Sequence, residues 1–296
     1  DFNVIAGLPY NYEVTGLNQY GEGLSGKALG FQVPNGTVTG WVQTVNGNPV
    51  PNALVTLMPM QGFSAKFGPM DGGFTDTTGS GLPSMLPVSN DPWTITFWIK
   101  TSAGSTANAG ILQFQPFPFN IRNTASGQEG IAVDMGGAPL CSANFPAATK
   151  NDWHHVALSY DGTLRLFIDG ALSALAPAAS IPSAIDMKLG ARTDSNGWAG
   201  LLDELRIYHR HLDEIDLGEV MEGTASSFTQ GLQFYWKMDE EKGVKSFDVI
   251  HRTKLYFCGA AFNSDRPAVR TAATTNNDGY YRIESASYGT GTTFLA

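Results

Sequence analysis

The feature that most constrains the fold is a pair of alternating segments, each followed by an Asp-Gly turn. Trp153 to Tyr160 alternates apolar and polar side chains, and Leu164 to Ile168 repeats the pattern. Asp161-Gly162 separates the two segments, and Asp169-Gly170 follows the second. Asp-Gly between alternating segments favours a tight β-turn, because both residues tolerate a positive φ. These residues therefore predict consecutive antiparallel strands.

The same alternation recurs elsewhere in the chain. One further strand places four apolar side chains on a single face, those of Trp93, Ile95, Phe97 and Ile99. Later strands are predicted over Met187–Gly190 and Gly200–Tyr208, followed by a short helix with Leu212, Ile215 and Val220 on its inner side. Only 15% of the 296 residues are charged, whereas 34 are Gly and 16 are Pro. Pattern and composition together predict an all-β chain of about two domains.

Charge and cysteine content limit the partners and the compartment. The net charge is -9 and the pI is near 4.9. An acidic surface repels phosphate, so we expect no nucleic-acid partner. We expect no membrane span, because no apolar run approaches the about 20 residues required. The chain lacks an initiator Met and a signal peptide, and we expect it to be a piece of a larger protein. Cys141 and Cys258 are interpreted as two separate buried thiols, with one disulfide as the alternative.

The strands around residues 153–222 also carry a family motif. Trp-His-His-Val-Ala-Leu-x-Tyr-Asp-Gly-x-Leu-x-Leu-Phe-Ile-Asp-Gly begins at Trp153, Lys-Leu-Gly ends at Gly190, and Gly-x-x-Asp-Glu-Leu-Arg-Ile-Tyr begins at Gly200. This succession resembles the laminin-G-like, concanavalin A-like jelly-roll over residues 65–222. The resemblance implies an antiparallel jelly-roll sandwich, which we assign to residues 61–267.

Two distant segments resemble two halves of one smaller domain. Gly-x-Pro-Val-x-x-Ala-x-Val-x-Leu, from Gly47, resembles the opening of the carboxypeptidase-regulatory-like, transthyretin-type β-sandwich, and Asp-Gly-Tyr-Tyr-x-Ile, from Asp278, resembles its later hairpin. We therefore predict a small immunoglobulin-like β-sandwich split into residues 36–60 and 268–296, with the jelly-roll inserted between them. A surface loop whose ends lie close together tolerates such an insertion. The alternative is that the two halves are unrelated.

Two flanking segments complete the predicted organisation. Residues 1–35 resemble the C-terminal hairpin of a fibronectin type III-like domain, through Tyr-x-Tyr-x-Val followed by Asn-x-x-Gly-Glu-Gly-x-Ser. Residues 231–267 form a C-terminal extension whose first part, from Leu232 to Glu240, resembles the segment that usually opens a laminin-G-like domain. The extension either completes the jelly-roll or begins a strand pair that bridges to the split sandwich, and we favour the second.

Asp203 is the most informative carboxylate. On a regular strand, alternation places Asp203 on one face with Leu201, Leu205 and Ile207. Burying an unpaired charge is costly, and we expect no Arg or Lys close in sequence to pair with it. A Ca²⁺ ion, with backbone carbonyls completing its shell, would balance the charge. The alternative is that Asp203 caps a loop through backbone N–H groups.

The resemblance implies the same metal, because this Asp is often a structural calcium ligand in laminin-G-like domains. The predicted companions are Asp71 and Asp76 in the acidic turn from Met70 to Asp76, with Asp71 preferred. Such a Ca²⁺ would tie the first and last strands together and would not be catalytic.

The sequence predicts no catalytic residues. A glycosidase needs two carboxyl groups about 5–9.5 Å apart, which on a strand appear as acids two or four residues apart. No Glu-x-Asp-x-x-Glu or similar pattern occurs on a predicted strand, and the Asp239-Glu240-Glu241 run is consecutive. His154 and His155 are adjacent on a strand, so they face opposite ways and cannot chelate one ion together.

Ligand-binding residues are predicted in two loops. The first contains Asp194, Asn196 and Trp198, and the second contains Arg122. An aromatic ring beside Asn and Asp side chains suits a sugar ligand. Packing in the core or at the rim is, however, the commoner role of a tryptophan in such a turn.

These inferences predict an extracellular, secreted or cell-surface, non-catalytic binding or adhesion module of a large protein. Its ligand would be a glycan or a cell-surface protein, and its other neighbours would be domains of the same long chain. Two alternatives stay open: a structural spacer repeat of a long surface filament, and an accessory carbohydrate-binding module of a polysaccharide-degrading enzyme. The likeness to large exported bacterial proteins is an analogy at the level of folds.

Overall fold

The computed structural model describes residues 9–18, 21–31, 35–59, 63–76, 83–87, 91–102, 105–116, 119–124, 130–177, 183–190, 197–222, 230–240, 242–267, 271–287 and 294–295. The elements within these ranges are β1 (Pro9–Asn18), β2 (Gly21–Phe31), β3 (Asn35–Trp41), β4 (Leu54–Pro59), β5 (Ser64–Phe67), β6 (Gly72–Asp76), β7 (Trp93–Thr101), β8 (Gly110–Gln115), β9 (Phe119–Asn123), β10 (Gly130–Met135), β11 (Ala138–Asn144), β12 (His154–Tyr160), β13 (Thr163–Ile168), β14 (Ala171–Pro177), β15 (Asp186–Gly190), β16 (Gly200–Tyr208), α1 (Glu214–Glu222), β17 (Leu232–Trp236), β18 (Lys245–Phe247), β19 (Lys254–Cys258), β20 (Ala261–Asn263), β21 (Thr271–Thr274), β22 (Tyr280–Ser287) and β23 (Phe294–Leu295). The predicted all-β, antiparallel fold class is confirmed.

The chain divides into two compact units. Unit 1 comprises residues 1–61 and 270–296, and unit 2 comprises residues 62–269. In unit 1, β1 pairs with β2, β3 pairs with β22, and β4 lies between β21 and β23. Thr275 fastens the late strands to the early ones: its backbone N–H donates to the Ala53 carbonyl (2.9 Å), and its Oγ1 accepts the Ala53 N–H (2.8 Å). The fibronectin-like and carboxypeptidase-regulatory-like identities of these strands stay predictions.

Unit 2 is a sandwich of two eight-stranded sheets. The first sheet has the order β14-β13-β12-β7-β16-β5-β20, with β17 also paired to β16. The second sheet has the order β11-β10-β9-β8-β15-β6-β19-β18. All strand pairs within both sheets are antiparallel, as local alternation and tight turns favour.

One hydrophobic core lies between the two sheets. The alternating residues of β7 enter it as predicted, and Trp93, Ile95, Phe97 and Ile99 are all buried. From the second sheet, Met187 and Leu189 of β15 and Leu255 and Phe257 of β19 enter the same core. Side chains between these positions therefore point to the outer faces of the sandwich.

Helix α1 covers part of the outer face of the first sheet. Asp213 caps its start, because Asp213 Oδ1 accepts the Ile215 and Asp216 N–H groups (3.0 and 2.9 Å). Leu212, Leu217 and Val220 are buried against the sheet, as predicted for Leu212 and Val220. The predicted inward position of Ile215 is wrong: its side chain is 75% exposed, since the helix turns Leu217 to the sheet instead.

The C-terminal extension completes the sandwich. β17 pairs with β16 in the first sheet, β19 pairs with β6 in the second, and β20 pairs with β5 in the first. The favoured interpretation, a strand pair that bridges to the split sandwich, is therefore wrong. The resemblance of this segment to the opening of a laminin-G-like domain fits its position, because it fills strand places inside the jelly-roll although it comes last.

The two cysteines are free. Cys141 is half-buried and Cys258 is exposed, so the alternative of one disulfide is not observed. Burial raises the pKa of the Cys141 thiol to about 11. The predicted separation of the thiols is correct, but the predicted full burial is wrong for both.

Candidate functional site

A β-bulge changes the environment of Asp203. Asp203 lies opposite Trp98 of β7, whereas Arg206 lies opposite Thr96, so β16 carries one extra residue between these pairs. Glu204 has a φ of 54°, which accommodates the extra residue. Because β16 is not a regular strand here, the predicted face is wrong: Asp203 shares the outer face with Arg206, and Leu205 enters the core.

Charged and aromatic groups surround Asp203 on this outer face. The buried Arg206 guanidinium forms an ion pair with Glu204, and its carbon Cζ lies 4.4 Å from the centre of the Tyr235 ring. The Tyr235 hydroxyl also donates to Glu204. The expectation that no Arg lies close in sequence to balance this region is therefore wrong. Burial raises the pKa of Asp203 well above its usual range, and the charges of Glu204 and Asp239 act in the same direction.

The predicted calcium ligands lie in different sheets. Asp203 is in β16 of the first sheet, where its Oδ1 accepts the Glu204 N–H (2.9 Å). Asp71 immediately precedes β6 of the second sheet, and its Oδ2 accepts the Gly68 N–H (2.7 Å). Asp76 ends the same strand, opposite Lys254. Within the described ranges, no group of three or more His, Cys, Asp and Glu side chains is arranged to hold a metal ion. Calcium binding stays a prediction.

The first predicted ligand loop contains Asp194, Asn196 and Trp198. Asp194 and Asn196 lie outside the described residues. Trp198 is only 1% exposed and packs on Phe67, with ring centres 5.9 Å apart. Its ring is covered by protein, so the predicted stacking on a ligand is wrong and the packing alternative holds.

Arg122 reaches the outer face of the second sheet. Its neighbours Ile121 and Asn123 are buried, while its guanidinium forms an ion pair with Asp134 and donates to Asn108 Oδ1 (2.6 Å). Arg122 is therefore fixed in place beside the side chains of this face. Arg122 lies on β9, two strands away from β15 in the second sheet, and its role in ligand binding stays a prediction.

The candidate site is a line of side chains that crosses the outer face of the second sheet. The strand registers place Lys188 opposite Phe74, Phe74 opposite Tyr256, and Tyr256 opposite Lys245. We call these four side chains the aromatic row. Directly opposite strand residues share a face and lie within side-chain contact distance of each other.

The two rings form the centre of the aromatic row. Phe74 and Tyr256 stack with ring centres 5.5 Å apart and planes 25° apart. Phe74 nevertheless remains 44% exposed. Core residues lie on both sides of Tyr256 in β19, so the strand holds its ring outward by the alternation of the sheet. A stacked, exposed ring pair on a rigid sheet forms a flat apolar platform.

Polar side chains extend the aromatic row at one end. Gln113 lies opposite Lys188, and Asn120 lies opposite Gln113. Asn120 Oδ1 is hidden from solvent without a hydrogen-bond partner, and so is Oδ1 of Asp186, two residues before Lys188. Buried polar atoms normally have partners. Within the described ranges, these two oxygens therefore have no protein partner.

Sequence reasoning missed the aromatic row because its members come from four strands of three distant segments. Asp76 was singled out from the turn around β6, while its neighbour Phe74 was not. Alternation around Tyr256, between Leu255 and Phe257, was the one local signal for an outward ring. The register that joins β6 to β19 spans about 180 residues of chain, and no local pattern specifies it.

Comparisons with known proteins place the fold. Residues 74–217 match the family model of the concanavalin A-like lectin/glucanases superfamily. A search of curated proteins found no match. No helix in the described part of the chain is long and apolar enough to cross a membrane.

Solved structures are similar to this chain at low sequence identity. A protein of Bacteroides ovatus named "putative carbohydrate binding protein" has 16% identity and a TM-score of 0.53, over 90% of this chain and 72% of that one. The SAP-like pentraxin of Limulus polyphemus has 14% identity and a TM-score of 0.44, over 77% and 97%. Domain 4 of an extracellular arabinanase from Geobacillus stearothermophilus, in complex with arabinotriose, has 18% identity and a TM-score of 0.38, over 60% and 84%. Unit 2 is thus a β-sandwich whose residues 74–217 match the concanavalin A-like lectin/glucanases superfamily.

Proposed function

We propose that the chain is a non-catalytic carbohydrate-binding module and that the aromatic row is its sugar platform. The observation that carries the proposal is the exposed Phe74 ring stacked on Tyr256 in the middle of a polar sheet face. The C–H face of a sugar ring packs on an aromatic ring, while its hydroxyl groups need hydrogen-bond partners beside it. The face offers both kinds of group.

Lys188 is the exposed polar group beside the ring pair, whereas Gln113 is only 5% exposed and would have to move to reach a sugar hydroxyl. Gln113, Asn120 and Lys188 follow one another across three adjacent strands. An amide both donates and accepts, and an ammonium donates, so together they match the mixed character of hydroxyl groups. Because these side chains stand on a sheet and not on a loop, little ordering is required when a ligand binds.

The comparisons support this proposal through the fold. The Bacteroides ovatus protein shares the fold, and its name refers to carbohydrate binding. The matched family is named for lectins and glucanases. Of these two activities we propose binding, because the exposed ring pair supplies a surface for a sugar, while no predicted strand carries a Glu-x-Asp-x-x-Glu or similar pattern.

A glycan array followed by titration calorimetry tests the proposal. We expect Phe74→Ala and Tyr256→Ala each to weaken binding at least tenfold, or about 1.4 kcal/mol, through loss of the stacking surface. Leu175→Ala is the matched control, because Leu175 is 59% exposed and lies on β14 of the other sheet. Binding by both aromatic variants with wild-type affinity would show that the sugar site lies elsewhere.

Location, partners and metal are further parts of the proposal. We propose an extracellular position in a larger protein, which suits a module that meets polysaccharide or a cell-surface protein. The spacer and accessory-module alternatives differ in a simple test: a spacer binds no glycan, whereas an accessory module adjoins a catalytic domain in the full-length chain.

We also retain the proposal of a structural Ca²⁺, bound either by Asp203 or by Asp71 and Asp76, because the two groups lie in different sheets. A ligand that binds only the folded state stabilises by about 2.7 kcal/mol at a hundredfold excess over its Kd. Thermal unfolding with Ca²⁺ and with EDTA, for wild type and Asp203→Ala, tests it. A wild-type midpoint that Ca²⁺ leaves unchanged would overturn the calcium proposal.

A further inference from the structure

The aromatic row has an ammonium group at each end. Lys188 lies opposite Phe74 on one side of the ring pair, and Lys245 lies opposite Tyr256 on the other. Both side chains point outward, because Lys188 stands between core residues of β15 and Lys245 precedes the inward Ser246, which is fully buried. The platform therefore carries one positive charge at each end.

The ammonium groups of Lys188 and Lys245 are uncompensated within the part of the chain that the structure describes. Among the described residues, the ion pairs involve other cations, and neither Lys188 nor Lys245 forms one. Lys245 Nζ lies 5.2 Å from the centre of the Phe247 ring. The ring attracts the ammonium group but carries no negative charge to neutralise it. The chain has a net charge of -9, so two unpaired lysines beside an exposed ring pair make this part of the surface more positive than the chain as a whole.

The neighbouring row of the same face has mixed charge. Lys254 and Asp76 lie opposite each other, and Asp186 lies two residues before Lys188. Arg252 lies 4.7 Å from the centre of the Phe247 ring. Asp76 faces Lys254 across the strand pair, whereas the aromatic row itself contains no acid. An anionic group is therefore favoured at its ends and disfavoured beside Asp76 and Asp186.

We infer that the glycan bound by the aromatic row is acidic and carries carboxylate groups on uronic acid residues. This inference rests on the proposed function. The rings contact the sugar faces, and the two ammonium groups pair with carboxylates at either end. Lys188 and Lys245 are three strand intervals apart, or about 14 Å, so the ligand is an oligosaccharide segment and not a single sugar. Charge complementarity selects the acidic class over neutral glycans.

Two polysaccharide panels test this inference. One contains uronates (polygalacturonate, alginate and hyaluronate), and the other contains neutral chains (galactan, arabinan and dextran). We expect the full chain to bind within the uronate panel. Its affinity for the carboxyl-reduced form of the polysaccharide that it binds should be at least tenfold lower. Binding should also weaken as salt concentration rises, because opposite charges are screened.

Substitutions locate the effect. We expect Lys188→Gln and Lys245→Gln each to weaken uronate binding about threefold to tenfold, with the double variant weaker still. Lys66→Gln is the matched control, because Lys66 is an exposed lysine on β5 of the other sheet. Thermal midpoints equal to wild type show that the variants are folded.

The outcomes separate this inference from the proposed function. Equal binding of acidic and neutral chains, or uronate binding that Lys188→Gln and Lys245→Gln leave unchanged, overturns the acidic class. If Phe74→Ala still abolishes that binding, the sugar platform stands. A chain that binds neither panel nor any other glycan overturns the platform and the acidic ligand together.

Discussion

His154 lies between two hydrogen-bond acceptors. Its Nδ1 is 2.8 Å from Asp169 Oδ2, and its Nε2 is 2.8 Å from the Thr149 carbonyl. A neutral imidazole can donate from only one nitrogen, whereas an imidazolium donates from both. Burial lowers the pKa of His154, but the bonds to Asp169 and Thr149 and the charge of Asp169 outweigh it, so the pKa is raised above 6.5.

Stability should therefore depend on pH through His154. A raised folded-state pKa contributes stability that is fully present below the unfolded value, about 6.5, and is lost as pH rises through the folded value. We expect urea unfolding to show a lower free energy of unfolding at pH 9 than at pH 6, and His154→Gln to reduce this difference. An identical pH dependence in the variant would assign the effect to other groups.

Trp198 shows how an aromatic residue beside a polar turn can mislead. Its sequence neighbours suit a sugar site, but its ring lies in the core, close to Gly200, where an added Cβ would come within 2.3 Å of the ring. Burial depends on which strands surround the turn, and local sequence does not contain that information. Phe74 shows the reverse case, an apolar residue that the strand register places outside.

We expect Trp198→Ala to lower the free energy of unfolding by about 3–5 kcal/mol, the usual cost of removing a buried tryptophan. Urea unfolding measures the loss. At temperatures where the variant is folded, glycan affinity should equal that of wild type, since the ring contacts no ligand. A variant with normal stability and lost affinity would return Trp198 to the binding site.

At the scale of elements, the bulge in β16 limits what alternation can predict. Local patterns correctly predicted the strands β7, β12 and β13, and they also predicted which side chains of β7 enter the core. One extra residue at Glu204 then exchanged the faces of β16, and with them the partners of Asp203. A bulge depends on pairing with neighbouring strands, so a period-two pattern cannot reveal it. The place of the C-terminal extension also depends on pairing with distant strands, so local sequence did not predict it.

The bulge should depend on the contact between Glu204 and Arg206. The Arg206 side chain is 1% exposed, so removing Glu204 breaks the ion pair of a buried cation. We expect Glu204→Ala to lower the free energy of unfolding by about 3–5 kcal/mol. The double variant Glu204→Ala with Arg206→Met should recover part of this loss, as a double-mutant cycle in urea would show. Strict additivity would mean that the pair is not coupled.

At the scale of the whole molecule, the strands of each unit pair with strands of the same unit. The main core of unit 2 runs from Ala65 to Ala260, and its strands pair only within residues 62–269. The early and late strands of unit 1 meet where Leu57 lies opposite Thr271, so the chain leaves and re-enters unit 1 on adjacent strands. Closely spaced ends allow one domain to be inserted in another without disturbing either core.

Residues 62–269 alone should therefore fold and retain the aromatic row. We expect the fragment to unfold cooperatively, as judged by circular dichroism, and to bind the glycan within about twofold of the affinity of the full chain. The matched fragment 62–230 lacks β17 to β20, including Tyr256, and should neither fold cooperatively nor bind. If the longer fragment folds but binds at least tenfold more weakly, residues of unit 1 take part in the site. Equal affinity would place the whole site on the second sheet of unit 2.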